Sequence, residues 1–96
     1  MAQAREVRME LGQIVYSKAG RDSGKYFAVV EIESEDRVKI ADGNTHRIKH
    51  AKLKNVKHLQ TDGDVLAKIA DKLKNEQQVF DAELFSALRF YNENKQ

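Results

Sequence analysis

Residues 12–32 read GQIVYSKAGRDSGKYFAVVEI. An apolar run, Gln13 to Tyr16, enters a basic turn, and a second apolar run, Tyr26 to Ile32, leaves it. The turn, Ser17 to Lys25, holds Gly20, Gly24, Lys18, Arg21 and Lys25. Glycines reach backbone angles closed to other residues, so the pair marks a tight, unusual path. Such a loop builds little core. It suits the approach of backbone amides and positive charge to a phosphate chain.

Outward from this stretch the chain continues in short β-like pieces. Tyr26–Ile32 is β-branched and aromatic, the composition of a central strand. Ser34-Glu35-Asp36 is a polar turn. Arg37–Ala41 alternates, with Val38 and Ile40 facing one way. Asp42-Gly43 is a hairpin signal, and Thr45–Lys49 is expected as the returning strand, anchored by Ile48. Leu53, Val56 and Leu59 are three apart, which fits a helical turn or irregular packing. Val7, Met9 and Leu11 alternate before Gly12, as a short strand or extended lead-in; residues 1–6 are polar and expected to fray. Four or five short strands with tight turns within about 60 residues predict a small antiparallel barrel.

The pattern changes at Thr61. Thr61-Asp62-Gly63-Asp64 supplies helix-capping residues and early acids. Val65, Leu66, Ile69, Ala70 and Leu73 follow at helical spacing, and Asn75 is the expected stop. Asp81 is a second capping candidate, with Phe80 and Phe85 at the positions of a hydrophobic staple. Leu84, Phe85, Leu88 and Tyr91 form the apolar face. Two C-terminal helices are therefore expected over 61–96, packed on a β unit over 1–60, with a mobile tail from Asn92. The helix pair is expected to cover the β unit; the alternative is an exposed groove for a protein.

Composition limits the function. The chain has 96 residues, no cysteine and a net charge of +2. That length is one domain with a small core and no disulfide or thiolate-metal framework. No apolar run nears the roughly 18 residues of a membrane span. The mixed charges of Met1 to Glu10 do not read as a signal peptide. A soluble, cytoplasmic protein is expected, with no membrane partner. Residues 1–60 carry 12 Lys and Arg against 8 Asp and Glu, whereas 61–96 carry 5 against 7. Between Gly43 and Gln60 there is no acid, but Arg47, Lys49, Lys52, Lys54 and Lys57 are present, with His46, His50 and His58. This acid-free run is the strongest electrostatic signal and points to a polyanion.

Chemistry finds less support. Gly20-x-x-x-Gly24-Lys25-Tyr26 has one intervening residue too few for a phosphate-binding P-loop, lacks the hydroxyl residue after the lysine, and precedes a strand rather than a helix. His46 and His50 would stand about 13 Å apart on extended chain, too far to share a metal. Histidines in a phosphate-facing patch are expected instead. The acids Asp62, Asp64, Asp71, Asp81 and Glu83 are read as helix caps and solvated surface. No catalytic residue, metal or cofactor is expected, and the protein is not expected to be an enzyme. Tyr16 and Tyr26 are candidates for base stacking, whereas Phe27 is expected in the core.

Gly12-x-x-Val15, Gly20-x-x-x-Gly24-Lys25 and Val29-Val30 resemble the KOW motif of ribosomal proteins and transcription elongation factors. With Ala28, Arg37 and the Ala41-Asp42-Gly43 turn, residues 9–60 resemble the archaeal and eukaryotic large-subunit ribosomal protein family numbered fourteen and its relatives numbered six and twenty-seven. Many KOW motifs carry a glycine two residues past the Gly-Lys pair, where this chain has Phe27. The resemblance implies an SH3-like KOW barrel followed by the two helices. It also implies a ribosomal or ribosome-associated protein that contacts structured RNA, ribosomal RNA above all, beside ribosomal proteins. The resemblance turns the Gly20–Lys25 loop to the nucleic acid; with the basic run added, the expected contact residues are Lys18, Gly20, Arg21, Gly24, Lys25, Arg47, Lys49, Lys52, Lys54 and Lys57. A protein-interaction adaptor, as KOW domains of elongation factors can be, is the alternative.

Overall fold

A computed structural model describes residues 9–94. The expected strand around Val7, the frayed residues 1–6 and the last two residues of the tail lie outside the described residues. The elements are β1 (Ile14–Ser17), β2 (Tyr26–Ile32), β3 (Arg37–Ala41), β4 (Lys52–Asn55), β5 (Leu59–Gln60), α1 (Ala67–Lys74) and α2 (Asp81–Asn94). Single 3-10 turns at Ile48–His50 and Val56–His58 flank β4.

Alternation in the strands sends side chains to two faces, and both are buried. Val15, Phe27, Val29, Val38 and Ile40 share one face with Leu59. Ile14, Ala28 and Ala41 turn to the other, where Ile69, Val79, Leu84 and Leu88 cover them. Full burial of a Leu or Val side chain stabilises by about 1.5–3 kcal/mol. A small sheet gains from cover on both sides. Phe27, in the place of the common KOW glycine, is fully buried on the first face. It is the second residue of β2 and part of the core.

All neighbouring strands pair antiparallel, in the order β4-β3-β2-β1-β5. The expected SH3-like barrel is corrected by this order: the sheet is open, with β4 and β5 as edges that share no ladder. Five flat strands would hold those edges about 19 Å apart. Yet only Val56–His58 separates β4 from β5, and four residue steps reach at most about 14 Å. The sheet is therefore curled, and its edges approach at one corner without pairing. Two sequence features keep it from closing. β5 is two residues long. The β4 positions opposite Val38 and Ile40, hence on the inner face, are Lys54 and Lys52. Lysines there need a charged partner rather than another strand.

The hairpin after Asp42 also differs from expectation. The returning strand is Lys52–Asn55, and Thr45–Lys49 holds a loop and a 3-10 turn. Asp42 Oδ1 accepts from the N–H groups of Asn44 and His46, both at 2.9 Å, which widens the turn. Helix α1 begins at Ala67 without a side-chain cap. The residues before it serve the sheet: Val65, expected inside the helix, bridges Gln13, and the hydroxyl of Thr61, an expected cap, donates to the Ile14 carbonyl at 2.7 Å and accepts from Gly63 N–H at 3.0 Å. Asn75 ends α1.

Helix α2 docks through Leu84, Leu88 and three polar ties. Asp81 is its first residue and does not cap it; Asp81 Oδ1 accepts instead from Ile48 N–H at 2.8 Å. The Asn92 side chain accepts from Tyr26 N–H at 2.8 Å. Lys72 of α1 donates to both Glu83 oxygens at 3.0 and 2.9 Å. Phe80 and Phe85, expected as a staple, are exposed, as is Phe90.

Candidate nucleic-acid interface

The loop between β1 and β2 is pinned at both levels of its backbone. Gly24 N–H donates to Ser17 O and Ser23 N–H to Gly20 O, at 3.0 and 3.1 Å. Gly20 and Gly24 both take positive φ, 80° and 90°. At its centre lies Asp22, the single acid between Leu11 and Val30. Asp22 does not point to solvent. It is 5% exposed and is met by three bases from the returning half of the sheet.

His46 Nε2 stands 2.8 Å from Asp22 Oδ1. Lys52 and Lys54 Nζ stand 3.8 and 3.7 Å from Oδ2. Lys54 also donates to Ala19 O at 3.0 Å, so it grips the loop at two points. Burial pushes the Asp22 carboxyl up, but the His46 hydrogen bond and the charges of His46, Lys52 and Lys54 outweigh it and hold the carboxyl below its ordinary value of 3.8. Asp22 Oδ2 is buried without a hydrogen-bond partner among the described residues, so its charge is balanced by the lysines at ion-pair distance.

The expected basic residues thus divide. Lys54 is buried and holds the loop from beneath. Lys52 is shared, with its side chain 43% exposed. Arg21, Lys18 and Lys25 of the loop are exposed, as are Arg47, Lys49 and Lys57. The Asp22 contacts tie the loop to the segment carrying His46, Lys52 and Lys54. Lys18 is drawn to Lys57, because Lys18 N–H donates to His58 O at 2.9 Å. Lys18 and Lys57 line one cleft together with Glu35 and Asp36, so the field there is mixed. Of the histidines expected to face phosphate, His46 is engaged with Asp22 and stacks near Phe27, centroids 5.7 Å apart. His50 and His58 are exposed.

The sequence reading does not single out Asp22, on which the loop's side-chain contacts converge. A lone acid in a basic loop, facing an acid-free run of lysines later in the chain, was the available signal. Among the described residues no group of three His, Asp or Glu side chains is placed to hold a metal ion. No described helix is long and apolar enough to cross a membrane.

A carboxyl held low stabilises the fold where it is ionised. The Asp22 contribution is complete above the ordinary carboxylate pKa and is lost as pH falls below about 4. Glu83, lowered by its hydrogen bond to Lys72, acts with the same sign. The difference between wild type and Asp22→Asn isolates Asp22. Thermal unfolding followed from pH 7 to pH 3 should show the gap between the two narrowing as pH falls; a constant gap would contradict the ion-pair account.

The chain matches no known protein-family model, and no curated protein is significantly similar to it. The molecule is a small β-sheet domain with C-terminal helices.

Proposed function

We propose that this protein binds structured RNA, as KOW-motif proteins of the ribosome do, and that it works in or on the ribosome. The supporting observation is the Asp22 lock. Holding a flexible, doubly glycine-hinged loop in one shape lowers the ordering cost of binding. The exposed loop cations Lys18, Arg21 and Lys25 are then carried on a loop tied to the segment that holds Lys52 and the exposed Arg47 and Lys49. The buried carboxylate is matched by Lys52, Lys54 and His46, so it does not neutralise the exposed loop cations Lys18, Arg21 and Lys25. Structured RNA is recognised through phosphate and shape, for which exposed cations on a fixed loop are suited. Lys54 contributes by positioning the loop rather than by contact.

The exposed phenylalanines Phe80, Phe85 and Phe90 favour the competing reading, a protein adaptor. Salt dependence separates the two. Binding of the full chain to a structured RNA should weaken steeply with salt. The Arg21→Ala/Lys25→Ala pair should weaken it further at low salt, roughly tenfold or more, and reduce the log–log slope by about two. The fold should be unchanged, since both side chains are exposed. Equal affinity and slope for variant and wild type would remove the loop from the interface.

A further inference from the structure

On the helix-covered side of the sheet lies a second site, with the opposite charge. Tyr16 and Tyr26 are directly opposed across β1 and β2. Their rings meet edge to face, with centroids 5.0 Å apart. Tyr91 of α2 continues the row, 5.8 Å from Tyr26. The three rings line a cleft of about 310 Å³, closed on its other side by the 60–64 turn with Asp62 and Asp64. Thr61 fixes that turn through its bonds to Ile14 O and Gly63 N–H. Asp62 and Asp64 are exposed, and neither forms an ion pair among the described residues.

We propose that this cleft binds an organic cation, an ammonium or guanidinium group, between the tyrosine rings and the two aspartates. A ring face attracts a cation within about 6 Å of its centroid, and clustered rings form the cages that hold methylated ammonium groups. Two carboxylates across the cleft add attraction of the same sign and reject anions. A nucleotide base could stack on the rings, but its phosphate would then approach Asp62 and Asp64. The site faces away from the inner side of the sheet on which Lys52 and Lys54 hold the loop. The inference stands independently of RNA binding, and its test uses no RNA strand.

The test is an NMR titration of the full chain with tetramethylammonium chloride, set against sodium chloride at equal ionic strength. Saturating shifts are expected at the amides of Tyr16, Gly24, Tyr26 and residues 60–64. Blocked lysine and blocked arginine form parallel arms. Tighter binding of these assigns the cation to a protein side chain, and tighter binding of tetramethylammonium assigns it to a small quaternary amine. Asp62→Asn/Asp64→Asn, which changes exposed groups only, should weaken binding about threefold to tenfold, and Tyr16→Leu similarly. Unchanged thermal unfolding of the Asn pair verifies its fold. Identical shifts with sodium chloride, unchanged affinity in the Asn pair, or saturation by guanosine monophosphate but by no cation would each overturn the proposal.

Discussion

Replacing Asp22 by alanine should destabilise the protein by about 2–4 kcal/mol and unpin the β1–β2 loop. Removing one partner of a buried ion pair costs roughly 3–5 kcal/mol, because the other charge is left stranded. Here the stranded charge is Lys54, whose side chain is 10% exposed. The loss falls below the full range because Lys54 keeps its bond to Ala19 O and can reach water once the loop lifts. In a domain of this size, each kcal/mol shifts the unfolding midpoint by about 4–8 °C. The unfolding midpoint should therefore fall by about 8 °C or more. Amide exchange should accelerate at Ser23 and Gly24, whose N–H groups are bonded within the loop. Asp22→Ala/Lys54→Met, which removes both charges, should recover part of the loss. If the single variant unfolds like wild type, Asp22 is not the hub of the loop.

Gly43→Ala should cost about 3 kcal/mol or more, by a different mechanism. Gly43 has φ of 80°, a strained angle for alanine. It also sits where the β3–β4 turn touches the first turn of α2. A β-carbon there would stand 2.9 Å from Phe85 N and would press on the Asp81 carbonyl, both of them backbone. Helix α2 would have to move away from the sheet, loosening Leu84 and Leu88. Gly63→Ala is the matched control. Gly63 has φ of 90° but open space around it, so it reports the angle alone. The difference in unfolding free energy between the two variants measures the close approach. Equal losses would mean that α2 does not rest on the turn.

The local signals in the sequence were read where side chains follow the ordinary rule of apolar inward. Tyr26–Ile32 and Arg37–Ala41 coincide with β2 and β3, because their alternation places Val and Ile on the core. β4 breaks the rule. Its inward residues are Lys52 and Lys54 and its outward Leu53 is exposed, so its pattern reads as a basic surface segment. The strand is hidden in the pattern, and the preceding Thr45–Lys49 reads as the returning strand in its place. The same inversion explains the open sheet. A closed barrel was expected from strand number and turn spacing, which do not record that the inner face of the edge strand is charged.

The site was legible in composition but not in geometry. Basic residues at 18–25 and 47–57 were evident. That two of them turn inward depends on Asp22, whose partners lie 24 or more residues away. Thr61 was misread for a similar reason. Its hydroxyl suits a helix cap, but the Ile14 carbonyl 47 residues earlier captures it. Such choices are made by tertiary contacts that no local pattern encodes.

The central claim is that the Asp22-locked loop and the 46–58 segment face RNA. Ultraviolet crosslinking of the full chain to a structured RNA, followed by mapping of the crosslinked peptides, tests it most directly. Crosslinks are expected in residues 18–25 and 46–58 and should be lost as salt is raised. Crosslinks confined to helix α2, or none above the level of an acidic control protein, would contradict it.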